Sequence, residues 1–215
     1  MLKFGNWINR KRHNRGFGIQ SPSAFFFITQ VLRERLPYYA YTQLNEAALA
    51  SNSLDPAHTR EIFRITNHLQ PATCIAINSI AAACAIAAAR PGAEKYAIVP
   101  DRILPDIAKS ILEENHCPVE TDNQRLTTIL EKMGKADLVY IGNCTDYDTV
   151  FKNLLPYIGD NSVVIIEGIH SNKAIEQWWQ QIVEDKVTVI TYDMFSYGMV
   201  YFDKARYKQH YTLKR

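Results

Sequence analysis

Residues 73–89 read TCIAINSIAAACAIAAA. The first five residues form a short apolar run without polar alternation, the pattern of a strand buried on both faces. Asn78 and Ser79 then make a turn, and an alanine-rich segment follows that suits a buried helix. A strand, a tight turn and a helix are how many α/β proteins bring backbone close to a bound ligand, usually with glycines in the turn. Here no glycine occurs between Gly18 and Gly92.

The same texture continues toward the C-terminus. KYAIV (95–99) precedes an expected helix over 102–115, and PVET (118–121) precedes one around 123–133. ADLVYIG (136–142) leads to a helix around 147–155, and SVVIIEGI (162–169) to a helix over 172–184. Strands that are hydrophobic throughout belong to a parallel sheet covered by helices. KVTVITY (186–192) and GMVYFD (198–203) break the alternation, with only DMFSY between them. Five residues cannot carry a helical crossover, so this pair should be antiparallel. The expected fold is α/β: a Rossmann-like, doubly wound sheet of about seven strands whose last strand is antiparallel.

Toward the N-terminus the pattern is helical. Phe4, Trp7 and Ile8 have the spacing of one helix face. RGFGIQSP interrupts it, then Ser21 as N-cap and Pro22 at the first position start a helix running to Pro37. A helix-prone stretch spans 42–50, and Asp55 caps a helix over 56–69. The chain therefore divides into a helical extension, 1–70, packed on an α/β domain, 71–215.

The 215 residues include four cysteines, Cys74, Cys84, Cys117 and Cys144, in apolar stretches with no CxxC spacing. Reduced core thiols are expected, and no zinc site. No apolar run approaches the ~18 residues of a membrane span, and the opening lacks the apolar stretch of a signal peptide, so a cytoplasmic location is expected. The net charge of +2 is unevenly spread. Residues 1–33 carry six Lys/Arg and no acid, residues 204–215 carry five and no acid, and residues 34–203 stand at −9. Basic ends on an acidic body suit either an anionic surface or self-contact. Their interleaved aromatics favour self-contact, and nucleic acid is not the expected partner. The expectation is that the N-terminal segment folds back as a lid over the strand carboxyl ends, with Phe4, Trp7, Phe25, Phe26 and Phe27 burying apolar area.

In an open α/β sheet, ligands bind beyond the carboxyl ends of the strands. The candidates are thus Asn78 and Ser79, Pro100 and Asp101, Gly142, Asn143 and Asp146, and Glu167 and His170. His170 suits a general base near a substrate hydroxyl, or a structural hydrogen bond at a helix start. Asp101 suits a ligand contact or a helix cap. Ile175, Trp178, Trp179 and Ile182 have the spacing of a helix face packed on a sheet. Tyr38, Tyr39 and Tyr41 suit packing of the N-terminal helices or a substrate wall.

RGFGIQSPSAFFFITQVLRE with YYAY, VVIIEGIH with the following WW, and VTVITYDMFSYGMVYF with KQHY are similar to a bacterial, Bacteroidetes-type family of class I S-adenosylmethionine-dependent methyltransferases, related to small-molecule O-methyltransferases. The resemblance spans nearly the whole chain. It implies a small-molecule substrate and S-adenosylmethionine held after the first strand by a pattern close to E-I-G-T-S-x-G. The matching positions here are Ala76, Asn78 and Ala82. The acid that would hold the cofactor ammonium is missing, as are both turn glycines. The strand-4 acid is replaced by Gly142, and of two strand-5 acids only Glu167 stays, before Gly168. Cofactor contacts fall to Asn78, Ser79, Asp101 and Asn143, and catalytic roles to His170 and Glu167. Cofactor binding should be weak or lost, and no metal is expected. The alternatives are an inactive binding or scaffold protein on the same fold, or a module held to an anionic surface by its basic ends. Homo-oligomerisation is left open.

Overall fold

A computed structural model of the chain describes Gly16, residues 18–99 and residues 103–213. The expected helix around Phe4, Trp7 and Ile8, the basic residues Arg10, Lys11, Arg12 and Arg15, and the loop residues Pro100 and Asp101 lie outside the described residues.

The described chain begins with α1 (Pro22–Phe26), which continues as one wide turn over Phe27–Val31. Helices α2 (Tyr41–Ser51) and α3 (Pro56–Leu69) follow. Strand–helix alternation then runs β1 (Thr73–Ile77), α4 (Ile80–Ala89), β2 (Glu94–Ile98), α5 (Asp106–Glu114), β3 (Val119–Glu120) and α6 (Leu126–Met133). It continues β4 (Leu138–Ile141), α7 (Tyr147–Leu154), β5 (Val163–Glu167) and α8 (Lys173–Glu184). Strands β6 (Ile190–Asp193), β7 (Tyr197–Tyr201) and β8 (Gln209–Thr212) close the chain.

These strands form one eight-stranded sheet in the order β3-β2-β1-β4-β5-β7-β6-β8. Strands β1 to β5 pair in parallel, β7 is antiparallel to both β5 and β6, and β8 pairs parallel to β6. The doubly wound α/β fold is therefore as expected, with one addition. The sheet has eight strands, and the last in sequence is parallel to its neighbour. QHYT at 209–212 is half-exposed at the sheet edge, so it carries no apolar run that would mark it as a strand.

Side chains alternate across the sheet. Cys74 and Ala76 of β1 join Leu138 and Tyr140 of β4 and Val163 and Ile165 of β5 in one core layer. Ile75 and Ile77, Val139 and Ile141, and Val164 and Ile166 join the other, with Trp179. The alanines of α4 have a structural reason. Every residue from Ile80 to Ala87 is buried, because α4 packs on β1 and is in turn covered by α2, α3 and α5. Small side chains let a second helical layer approach a first one closely.

On the other face, Gly198 makes room for Trp179, since a Cβ there would lie 2.4 Å from the indole. Trp178 leans on Tyr147 and Phe151. The tryptophans thus belong to the helix face packed on the sheet. Tyr38 and Tyr41 pack on Phe63 of α3, with ring centroids 5.1 and 5.7 Å away.

Two N-terminal expectations need correction. The helix expected to reach Pro37 ends at Val31, and the guanidinium of Arg64 binds the carbonyls of Val31 and Leu32 there. Of the three phenylalanines only Phe27 is buried; Phe25 and Phe26 are 45% and 52% exposed. Phe27 seats on Tyr192 and Tyr201 and beside His68 at the end of α3. Tyr201 pairs with Val163 and Ile190, the first residues of β5 and β6. Phe27 therefore sits toward the amino ends of those strands, while residues 1–15, on which the expected lid over the carboxyl ends rests, lie outside the described residues.

Candidate functional site

The strand order turns back between β1 and β4, so the crevice between their carboxyl ends is the switch point where an α/β sheet takes its ligand. Asn78 follows β1 with φ +60°. Asparagine tolerates this left-handed backbone better than most residues, so the turn keeps a shape that glycine would otherwise supply. The Asn78 N–H donates to Ile98 O at 2.8 Å, tying the turn to β2.

Across the crevice the two backbones touch. The Gly142 N–H donates to Ile77 O at 2.7 Å. A Cβ on Gly142 would lie 2.7 Å from Asn78 O, 2.9 Å from its carbonyl carbon and 3.0 Å from Ile77 O. All three are backbone atoms, so only glycine fits at 142 with this turn conformation. The strand-4 position that carries an acid in the resembled pattern is closed to any side chain.

The start of α4 is also occupied. A helix leaves its first N–H groups without internal partners, and these are what an anionic ligand group would bind. Here the Ala81 N–H donates to Ser53 Oγ at 2.9 Å and the Ala82 N–H to Ser79 Oγ at 3.3 Å. Ser79 is buried and serves as the N-cap. Ala76, at the place of the expected acid, is 2% exposed and lies in register between Ala97 and Tyr140.

Asn143 and the loop after β5 continue along the same edge. Gly168 has φ +71°, and a Cβ there would lie 2.5 Å from Asn143 Oδ1 and 3.2 Å from the Tyr147 hydroxyl. That hydroxyl donates to Glu167 O at 2.8 Å and lies 3.2 Å from Asn143 Oδ1. A second acid at 168 would meet both a left-handed backbone and an occupied space. Glu167 Oε2 accepts from the buried Tyr140 hydroxyl at 3.1 Å; burial first, and then the Glu167 charge, push that phenol well above its ordinary range. Asp146 caps α7 by accepting from the Thr149 N–H.

His170 sits between two carboxylates. Its Nε2 is 2.9 Å from Asp193 Oδ2 and its Nδ1 is 3.1 Å from Glu176 Oε1. The ring stacks on Phe195, which has φ +74°. Asp193 ends β6, is 2% exposed and also accepts from the Phe195 N–H. The Asp193 hydrogen bond raises the His170 pKa against the opposing effect of burial, and Glu176 adds to the rise. These two contacts fasten the β5–α8 loop to α8 and to the β6–β7 turn. Neither neighbour, Asp193 nor Glu176, was singled out from the sequence. DMFSY offered a signal, since an acid ending a strand faces the same edge as His170.

The structure thus strings Asn78, Ser79, Asn143, Glu167 and His170 along one edge and brings Asn78 to Gly142 and Asn143 to Gly168. Three cavities among the described residues, of about 540, 510 and 200 Å³, lie elsewhere, and none of the three is lined by any of those five candidates. Among the described residues no group of three or more His, Cys, Asp or Glu could hold a metal ion, and no helix is long and apolar enough to cross a membrane.

No protein-family model and no curated protein sequence matches the chain. Solved structures do match it in fold. The O-methyltransferase TomG from Streptomyces achromogenes, crystallised with S-adenosylmethionine, has a TM-score of 0.61 at 12% identity, covering 82% of this chain and 94% of that one. The Podospora anserina methyltransferase PaMTH1, bound to S-adenosylhomocysteine, gives 0.63 at 11% identity over 82% and 91%. The Bacillus cereus O-methyltransferase, also with S-adenosylhomocysteine, gives 0.60 at 12% identity over 81% and 95%. The chain has the class I methyltransferase fold.

Proposed function

We propose that this chain is a methyltransferase-like protein whose S-adenosylmethionine site is eroded, so that cofactor binding is weak or lost and the fold serves as a binding or scaffold module. The observation that carries this reading is the close approach of the Asn78 backbone to Gly142, which leaves no room for the strand-4 acid at the switch point. The Ser53 and Ser79 hydroxyls on the first amides of α4 support it. So does Ala76, buried where an acid would be needed to hold the cofactor ammonium.

A second reading keeps turnover of a small molecule, with Asn78, Ser79, Asp101 and Asn143 as cofactor contacts and His170 and Glu167 as the catalytic pair. It is favoured by the position of His170, raised in pKa and beside Asp193 on the edge where substrates bind. Against it, carboxylates face both ring nitrogens, so a catalytic proton would have to leave an ion pair.

Calorimetric titration of the full chain with S-adenosylmethionine separates the two. Eroded binding gives no saturable heat at submillimolar cofactor. Ala76→Glu sharpens the test. If an ammonium pocket were present, the added acid would strengthen binding. With the site eroded, it buries a carboxylate without a partner and lowers stability with no gain in affinity.

A further inference from the structure

The cavity of about 540 Å³ lies away from the carboxyl-edge candidates, between residues 32–37, α2 and α3. Among the described residues four arginines line it, Arg33, Arg35, Arg60 and Arg64, against one acid, Glu34. Arg64 is only 7% exposed. Its three hydrogen bonds go to neutral acceptors: Nε to Val31 O at 3.1 Å, Nη2 to Leu32 O at 3.0 Å and Nη1 to the Tyr41 hydroxyl at 3.4 Å. Arg60 donates to Asn45 Oδ1 at 2.8 Å and lies over the Tyr41 ring. Among the described residues, no carboxylate is within ion-pair distance of Arg35, Arg60 or Arg64. Glu34 itself is taken by the Tyr38 hydroxyl, 3.0 Å from both carboxylate oxygens.

A buried cation without a counter-charge is costly, and the cost falls when an anion enters beside it. Guanidinium forks match the oxygens of a phosphate in pairs, and several of them around one cavity suit an ion of more than one negative charge. The chain offers no such anion from its own beginning, since residues 1–33 contain no acid. We propose that this cavity is a binding site for a small molecule bearing a phosphate group. Arg60 and Arg64 would form its wall and Arg33 and Arg35 its rim, with Tyr41 holding both wall arginines in place. The site does not depend on the state of the methyltransferase-like edge, and the inference stands whether or not that edge binds cofactor.

The test is calorimetric titration of the full chain with inorganic pyrophosphate, repeated at about 0.15 M salt, where non-specific surface attraction is screened. One saturable site is expected. Arg35→Gln, at an exposed position with no ion-pair partner among the described residues, and Arg60→Gln should each weaken it about tenfold or more, the effect of losing a charge-assisted contact. Circular dichroism melting confirms that each variant is folded. Arg60→Lys, which keeps the charge but not the fork, should recover only part of the loss. Absence of saturable heat up to about 10 mM pyrophosphate, an affinity far below that of specific sites, would overturn the proposal. So would binding that neither glutamine variant changes, or citrate binding more tightly than pyrophosphate.

Discussion

Gly142→Ala tests the close approach of β4 to the Asn78 turn. The added carbon would sit 2.7 Å from Asn78 O, 2.9 Å from its carbonyl carbon and 3.0 Å from Ile77 O. Backbone cannot step aside as a side-chain end can, so the β1 turn and the end of β4 must separate. Forcing one carbon into a packed interior costs about 1–3 kcal/mol. Separation also weakens the 2.7 Å hydrogen bond from the Gly142 N–H to Ile77 O, worth about 1 kcal/mol. A loss of about 2–4 kcal/mol follows, or a fall in Tm of roughly 4–16 °C at about 2–4 °C per kcal/mol for a chain of this size. Urea unfolding followed by circular dichroism measures it, with Gly92→Ala as control. Gly92 has nothing within 4 Å of the position its Cβ would take, so the control should stay within about 0.5 kcal/mol of the parent. A Gly142→Ala protein as stable as the Gly92→Ala protein would refute the claim that only glycine fits at 142.

Three further outcomes follow from the packing and the charges. His170 has a raised folded pKa, so its ion pairs add stability fully present below its unfolded value of about 6.5 and lost as pH rises through the folded value; the stability lost in His170→Gln should be larger at about pH 5.5 than at about pH 9. Burial lifts the thiols of Cys74, Cys84 and Cys117 to about 12 and that of Cys144 to about 11, so the native protein should react very slowly with a disulfide reagent at about pH 8 and all four should react in denaturant. Phe27→Ala removes a buried ring from Tyr192 and Tyr201 and should cost about 3–5 kcal/mol in urea unfolding, whereas Phe26→Ala, at a half-exposed position, should cost under about 1 kcal/mol.

The order of strands and helices was legible because it follows from apolar runs. TCIAI matched β1 residue for residue, and the Asp55 and Ser21 caps began their helices as read. The edge strand β8 was illegible because an exposed edge needs no apolar run. The end of the first long helix was misplaced because a guanidinium distant in sequence takes its last carbonyls. At the candidate site, the lost acid and glycines could be read as letters. The contact that excludes a side chain at 142 could not be read, because it depends on how near two backbones come. Gly142 looked like a missing ligand and proves to be a steric requirement of the Asn78 turn. Arg60 and Arg64, one turn apart on α3, could have been paired by spacing, but nothing in the sequence says that no carboxylate among the described residues meets them.

The central claim concerns the cofactor, and thermal unfolding of the full chain with and without millimolar S-adenosylhomocysteine tests it most directly. A ligand at about 100 times its dissociation constant stabilises the native state by about 2.7 kcal/mol, a rise of roughly 5–11 °C here. With no room for an acid at 142 and a buried alanine at 76, the expected rise is under about 1 °C, the size of shift a ligand near or below its dissociation constant gives. A concentration-dependent rise of several degrees would contradict an eroded site.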